Sequence, residues 1–215
     1  MSRPEPQRTD VRIERYDGDQ TEWARRFLDL PPDVTLQSAD FAAAGVKPYS
    51  VTGEDDCNAV VGSGWAALLG GIAGTTVANK LSATYGRIGV GTSTTTPGWG
   101  DTWLGGDTGS ASTTSYYQLC GTAPVLVTAT GPASLTLNAS FGPTAALFPW
   151  NEFGADNAPA SGAYLNGLAG GYILFSHGVW SPSQGAKISG ETWPIQLIMT
   201  FGWPSGDDIL SAAGP

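Results

Sequence analysis

The feature that most constrains the fold is a succession of short alternating segments, which occupies the chain after about Ala83. In Ser134–Phe141, for example, leucine and alanine at odd positions alternate with threonine, asparagine and serine at even positions. A period of two is the period of side chains along a β-strand. Glycine, proline, serine and asparagine separate the segments, as turns between strands require. The segments predicted to be strands are Thr84–Gly91, Thr113–Cys120, Pro124–Thr130, Ser134–Phe141, Phe148–Asp156, Tyr172–His177 and Glu191–Phe201.

Short strands with short connections, preceded by a helical segment, predict a mainly β fold. The fold class that we expect is an antiparallel β-sandwich with one N-terminal packing helix and an extended N-terminal arm. The absence of a repeat of 20–50 residues argues against a propeller or a solenoid. We therefore expect an arm over residues 1–56 with a short helix near 21–30, and a sandwich domain over 57–206 that includes a helix over 58–72. Residues 207–215 would form a C-terminal tail.

The packing helix is predicted from apolar residues at helical spacing. Gly62 and Gly64 each weaken such a helix by ~1 kcal/mol relative to alanine, so packing must hold it, and they would allow it to approach a sheet closely. The acidic run Glu54–Asp56 before it has two interpretations, a calcium loop or an N-cap with acids that favour the helix dipole. We favour the cap, because Cys57–Val60 lacks further oxygen ligands. The apolar residues are Val60, Val61, Trp65, Leu68, Leu69 and Ile72.

The segment before that helix is polar and linker-like. Residues 1–20 interleave acids and bases and cannot form a core, so we expect a mobile arm there. Thr21 could cap a helix over Glu22–Asp29, which would place Trp23 and Phe27 on one face. Two turns are not stable alone in water. This helix therefore needs a surface, which either its own domain or a neighbouring subunit could supply.

Charge is sparse outside that segment. The chain carries a net charge of −9, which makes phosphate backbones poor partners. After residue 58 there are only three basic residues and seven acidic ones. A charge-poor surface rich in glycine and aromatic residues suits a protein that is covered by neighbours. Met1–Pro6 is not followed by the apolar core of a signal peptide, and no apolar run approaches the ~20 residues of a membrane span.

Candidate catalytic and metal-binding residues are few. His177 is the only histidine, it lies in a strand-like run, and no Gly-x-Ser-x-Gly elbow accompanies it, so we interpret it as a strand histidine satisfied by a neighbour. Cys57 and Cys120 are interpreted as small buried thiols. One histidine, two distant cysteines and scattered acids do not make a metal-ligand set. We predict no catalytic, cofactor-binding or metal-binding residues.

Glu152 is an acid set between large apolar neighbours, which invites a catalytic interpretation. A glycosidase needs two carboxyl groups about 5 to 10 Å apart. Asp156 shares the face of Glu152 but would lie roughly 13 Å along the strand. Glu191 could approach Glu152 across the sheet, and the sequence leaves that alternative open.

Tryptophans are numerous, and two of them lie in a long Gly/Thr loop. Trp99 and Trp103 fall within Gly91–Asp107, which is long for a hairpin, as is Asn157–Gly171. Such loops are usually functional or held by a partner. Exposed indoles stack on sugar rings, so these two residues could form a glycan platform. A protein–protein interface or a sandwich core would account for them equally well.

An ordered set of motifs resembles a known protein family. The pieces are Arg87-Ile-Gly-Val-Gly-Thr-Ser-Thr-Thr-Thr-Pro97, Asp101-Thr-Trp-Leu104, Trp150-Asn-Glu-Phe-Gly-Ala-Asp156, Leu165-Asn166 and a final long strand. Together they resemble structural proteins of tailed bacteriophages, in which "(I/L)GVG(T/D)ST" and "W(N/A)E(F/W)G" occur in this order. The resemblance covers roughly residues 57–203. It departs after Asn166, where Gly167 stands in place of a basic residue and a longer insertion runs through Gly171.

The resemblance implies a non-enzymatic virion component. The leading hypothesis is a capsid decoration or minor capsid protein that binds and stabilises the major capsid shell, with the major capsid protein and copies of itself as partners. The alternatives are a tail or tail-fibre component and a glycan-binding module of a receptor-binding protein. We expect the location to be the virion, and no nucleic-acid or membrane partner. The residues expected at inter-subunit contacts are Trp23, Phe27, Leu28, Trp99 and Trp103.

Overall fold

The structure is a computed structural model that describes residues 7–54, 58–72, 81–108, 113–127, 133–159, 161–162, 165 and 172–201. Ten strands and three helices are found in this part of the chain. The strands are β1 (Gln7–Arg15), β2 (Ser50–Glu54), β3 (Asn58–Val60), β4 (Arg87–Gly91), β5 (Ser115–Leu119), β6 (Val125–Val127), β7 (Ala133–Phe141), β8 (Glu152–Asp156), β9 (Leu174–Val179) and β10 (Trp193–Phe201). The helices are α1 (Gly18–Phe27), α2 (Ser38–Ala43) and α3 (Gly62–Ile72).

The strands form two antiparallel sheets that pack face to face. The first sheet has the order β2-β1-β10-β7-β6, and the second has the order β3-β9-β8-β4-β5. The prediction of a mainly β, antiparallel sandwich is confirmed. Each segment predicted as a strand overlaps an observed strand, because alternation and turn residues agree along the second half of the chain.

The main core lies between the sheets. The first sheet contributes Ile13 and Leu197 to it, and the second contributes Ile88 and Phe153. Trp150 is fully buried at its centre, with edge-to-face contacts whose ring centroids lie 4.8 Å from those of two further aromatic residues. Aromatic pairs of this kind add about 0.5–1.5 kcal/mol each beyond their buried area. Those partners are Phe141 and Trp193.

The prediction of an extended arm was wrong for the described residues before 57. Gln7–Arg15 forms β1, which pairs with β10 on one side and with β2 on the other. Val11 and Ile13 point into the core, whereas Arg12 between them is exposed. The alternation of apolar and charged residues covers only a few positions of β1, and its partner strand β10 lies almost 200 residues away in the sequence. The sandwich domain therefore includes this segment and does not begin at residue 57.

The short helix near residue 21 is present, but it begins earlier than predicted. Asp17, not Thr21, is the N-cap of α1: its side chain accepts from Gln20 N at 2.8 Å, and the Gln20 side chain accepts from Asp17 N at 3.1 Å. This reciprocal pair is a capping box. Thr21 and Ala24 are buried, so the helix docks on its own domain. It shares a small cluster with α2, a helix that the sequence did not indicate, in which Tyr16 and Phe41 stack 3.6 Å apart.

The packing helix begins at Gly62 rather than at Asn58. Residues 58–60 form β3, so the interpretation of the preceding acidic run as its N-cap was wrong. Asp55, Asp56 and Cys57 lie outside the described residues, as do Asn166–Gly171 and the predicted C-terminal tail. A Cβ atom on Gly64 would overlap the backbone of Phe175, so this glycine does allow close approach to the sheet. Among the described helices, none combines the length and apolar character needed to span a membrane.

Candidate functional site

The central strands β4 and β8 of the second sheet are buried on both faces. Every residue of β4 and of β8 is buried, although one face of each strand points away from the main core. That outer face is covered by residues 92–108, here called the covering loop, whose Leu104 packs fully buried against Tyr117. Gly89 makes room for this arrangement, because a Cβ atom there would lie 2.5 Å from the Tyr117 ring. A charged side chain on this face must therefore be satisfied by the loop or by its own sheet.

Glu152 is the centre of the covered face. Its side chain is fully buried and accepts three backbone hydrogen bonds from the covering loop, from Ser93 N at 3.1 Å, Gly105 N at 2.7 Å and Gly106 N at 2.6 Å. A fourth contact joins Glu152 Oε2 to His177 Nε2 at 3.0 Å. Burial of a carboxylate is costly unless it is paired and hydrogen-bonded. These four partners supply that compensation and fix the loop to β8.

His177 lies between two carboxylates. Its Nδ1 atom is 2.6 Å from Asp101 Oδ2 in the covering loop, opposite the contact with Glu152. Both ring nitrogens face acceptors, which favours the doubly protonated imidazolium. Burial alone would lower the pKa of His177, but the hydrogen bonds and charges of Glu152 and Asp101 outweigh it, and the pKa is raised. The interpretation of His177 as a satisfied strand histidine is confirmed.

A second buried ion pair lies farther along the same face. Arg87 donates from Nε to Asp156 Oδ1 at 2.8 Å and from Nη2 to Asp156 Oδ2 at 2.7 Å. Burial raises the pKa of Asp156, and Arg87 opposes that shift. The guanidinium lies 4.5 Å from the centroid of the Tyr117 ring, and the Tyr117 hydroxyl donates to Asp107 at 3.1 Å. The Asp107 carboxylate also accepts from Leu165 N, so this network also holds Leu165, which packs with Leu104 and Tyr117.

The two networks, one around Glu152 and His177 and one around Arg87 and Asp156, together hold the covering loop against the second sheet. The hydrogen bonds of His177 go to two carboxylates and not to a serine or threonine hydroxyl, which is the partner that a catalytic triad requires. Glu191, the other acid considered for a glycosidase pair, accepts from the Tyr49 hydroxyl at 2.8 Å and from Ile188 N at 3.1 Å.

Among the described residues, no group of histidine, cysteine and acidic side chains has a geometry that could hold a metal ion. Cys120 is a buried thiol, as predicted.

The residues predicted at inter-subunit contacts fall on two separate elements. Trp23 and Phe27 are 58% and 60% exposed on α1, with ring centroids 6.3 Å apart. Trp99 and Trp103 are 68% and 42% exposed on the covering loop. Leu28 differs from these four, because it packs against the cluster of Tyr16 and Phe41 within its own domain. Leu28 is only partly buried, and the contact role of all five residues stays a prediction.

Asp101 is the member of the cluster that sequence reasoning missed. It lies in an irregular loop, where no periodicity indicates which way a side chain points. The Asp101 carboxylate also accepts from Gly98 N at 2.8 Å, a local contact with a backbone amide three residues earlier in the chain. A usable signal was present in β8 and β9, where Glu152 and His177 interrupt otherwise apolar runs.

The two motifs on which the phage resemblance rests lie on the paired strands β4 and β8, beneath the covering loop. Strand β4 carries the Gly-Val-Gly motif and pairs with β8, which carries the Glu-Phe-Gly motif, in the register Gly89↔Gly154 and Gly91↔Glu152. A side chain on Gly91 would overlap the Glu152 carboxylate. The motif glycines therefore make room for the buried acid. No protein-family model matches this chain, and comparisons with curated proteins and with solved structures gave no match.

Proposed function

We propose that this chain is a non-enzymatic structural protein of a tailed-phage virion, a decoration or minor capsid protein that binds the major capsid shell. The motif resemblance supports the class of protein. The exposed aromatic residues support a role in which part of the surface is covered by other subunits.

The observation that carries the proposal is the aromatic pair on α1. Trp23 and Phe27 lie side by side and stay more than half exposed, although the opposite face of the helix is buried through Thr21 and Ala24. Tryptophan is enriched among the residues that dominate binding energy at protein interfaces. A helix that docks on its own domain and still presents two large rings has a face available for a partner.

The buried network around Glu152 and His177 supports the same role. Glu152 and His177 use their hydrogen-bonding capacity to hold the covering loop in one position. A surface that is fixed before association loses less conformational entropy when it binds. A repeated contact in a shell benefits from such preorganisation, because the same geometry must recur at every copy.

The test uses shells from particles that lack this protein. The double variant Trp23→Ala/Phe27→Ala should lose most of the binding seen for the unchanged chain in a co-sedimentation assay. Leu126→Ala is the matched control, because it removes an exposed apolar side chain from β6, an edge strand of the first sheet, and leaves α1 unchanged. The double variant and the control should both keep the thermal unfolding midpoint of the unchanged chain to within a few degrees.

Quantitative mass spectrometry of purified virions tests the location. A shell protein should be present in a copy number comparable with that of the major capsid protein. A few copies per particle would instead assign the chain to the tail, and its absence from the particle would overturn the proposal.

A further inference from the structure

We propose that the covering loop carries a binding site for an uncharged saccharide, in a cavity of about 230 Å³ beside Trp103. The site does not depend on the proposed virion role, because it is tested on the isolated chain. Trp103 forms one wall, Asp101 and His177 lie at the base, and two threonines stand at the rim. The rim residues are Thr95 and Thr102.

The side chains around this cavity offer the two kinds of contact that a sugar ring uses. A pyranose ring has a face of C–H groups that packs on an indole, and Trp103 is 42% exposed where it borders the cavity. The ring also carries hydroxyl groups that need donors and acceptors. The hydroxyls of Thr95 and Thr102 can do both, and the Asp101 carboxylate can accept.

Asp101 is positioned to accept from a ligand. Both of its hydrogen bonds within the protein, from Gly98 N and with His177, involve Oδ2. Its side chain is 30% exposed, unlike the buried Glu152 on the other side of His177. The structure therefore leaves Oδ1 to receive a hydroxyl, while Oδ2 keeps the side chain in one orientation.

Charge at the base of the cavity favours an uncharged ligand. Asp101 shares His177 with the buried Glu152, so the base of the cavity carries no net positive charge that could attract an anion. An anionic sugar would meet Asp101 and a chain of net charge −9, and His177, the basic side chain among the described cavity residues, already has both ring nitrogens in contact with carboxylates. A purely apolar ligand would leave the hydroxyls and the carboxylate unpaired. A hydroxyl-rich, neutral ring fits all three conditions.

The loop is already held in a fixed conformation. Glu152 binds the backbone of Gly105 and Gly106 on one side of the cavity, and the Trp99 carbonyl accepts from Gly62 N of α3 at 2.8 Å on the other. A ligand would not have to order the loop, which is the main cost of binding at irregular segments. The volume is below the roughly 300–1,000 Å³ of sites for drug-sized ligands, so one ring would be enclosed and any further rings would extend into solvent.

The experiment follows the amide and indole N–H signals of the full-length, isotopically labelled protein by nuclear magnetic resonance. The probes are glucose, galactose and mannose, short neutral oligosaccharides, and glucuronate as the anionic comparison. At least one neutral sugar should shift the Trp103 indole signal, identified by its loss in Trp103→Phe, with a Kd in the millimolar range. Glucuronate should bind at least tenfold more weakly.

Three variants distinguish binding at this site from non-specific binding to the loop. Trp103→Ala should lose the binding, and Thr102→Val should weaken it several-fold. Trp99→Ala is the matched control, because Trp99 lies on the same loop and is more exposed but does not line the cavity. If no neutral sugar shifted the Trp103 signal, if glucuronate bound equally well, or if Trp103→Ala bound like the unchanged chain, the proposal would be overturned.

Discussion

The two sheets of the sandwich solve the burial of their strands in different ways. The first sheet has one buried face and one solvent-exposed face. Ile13 points into the core, while Arg12 and Glu14 pair with each other on the solvent side. The central strands β4 and β8 of the second sheet are buried on both faces, and the outer face carries Glu152 and His177 beneath the covering loop. A polar side chain is therefore ordinary in the first sheet. In the second sheet it requires a complete set of partners.

The largest difference in the free energy of unfolding is expected when one acidic residue is removed from each sheet. Glu152→Ala should lower the free energy of unfolding by about 3–5 kcal/mol, because it leaves His177 and three backbone amides without their buried acceptor. Glu14→Ala in the first sheet should cost less, about 1–2 kcal/mol, since its two partners are the exposed Arg12 and a single hydroxyl, that of Tyr16. Urea denaturation of the two variants measures both values. Equal losses would show that the covering loop does not depend on Glu152.

An intermediate effect is expected when a methyl group is added to each sheet. A Cβ atom on Gly154 in β8 would lie 2.5 Å from the Ser176 carbonyl oxygen and 3.0 Å from Leu104. Gly154→Ala should therefore lower the free energy of unfolding by about 1–3 kcal/mol. The matched control is Gly53→Ala in β2, where the nearest atom would be 3.8 Å away and the change should be within about 0.5 kcal/mol. If Gly154→Ala were tolerated equally well, the second sheet would be less tightly covered than its contacts indicate.

The smallest effect at neutral pH concerns His177. Because its pKa is raised in the folded chain, the folded state binds more protons than the unfolded state above pH ~6.5. The stabilisation is fully present below that pH and is lost as the pH rises through the folded pKa, by about 1.4 kcal/mol for each unit of elevation. The free energy of unfolding of the unchanged chain should therefore fall with rising pH relative to His177→Gln. His177 is the only histidine in the chain, so the difference isolates the second sheet. A constant difference between the two proteins would contradict the assignment.

The first sheet also shows how far the sequence alone could predict the fold. Strands β7 and β10 have long, regular alternation, and their positions were predicted to within a few residues. Strand β1 was missed because its inner face carries only Val11 and Ile13 among charged residues. Two apolar positions are too few to distinguish a strand from a polar arm, and the ladder to β10 that stabilises it is non-local.

The site was only half predictable, for a related reason. Glu152 and His177 stand out because they lie in apolar strands, where a period of two fixes the direction of each side chain. Asp101 and the amides of Gly105 and Gly106 come from an irregular loop with no such rule. The sequence therefore identifies the buried groups that need partners, and only the folded chain shows where those partners come from.

The pairing of Gln7 with Phe201 has a consequence for how the molecule is made. Strand β1 cannot gain its β10 neighbour until Trp193–Phe201 has left the ribosome. Contacts of such long sequence separation slow folding, because the loop must close before they contribute. Gln7 and Phe201 lie side by side in this sheet, although they are 194 positions apart in the sequence. A donor and an acceptor dye attached at positions 7 and 201 would therefore report completion of the fold by a rise in energy transfer.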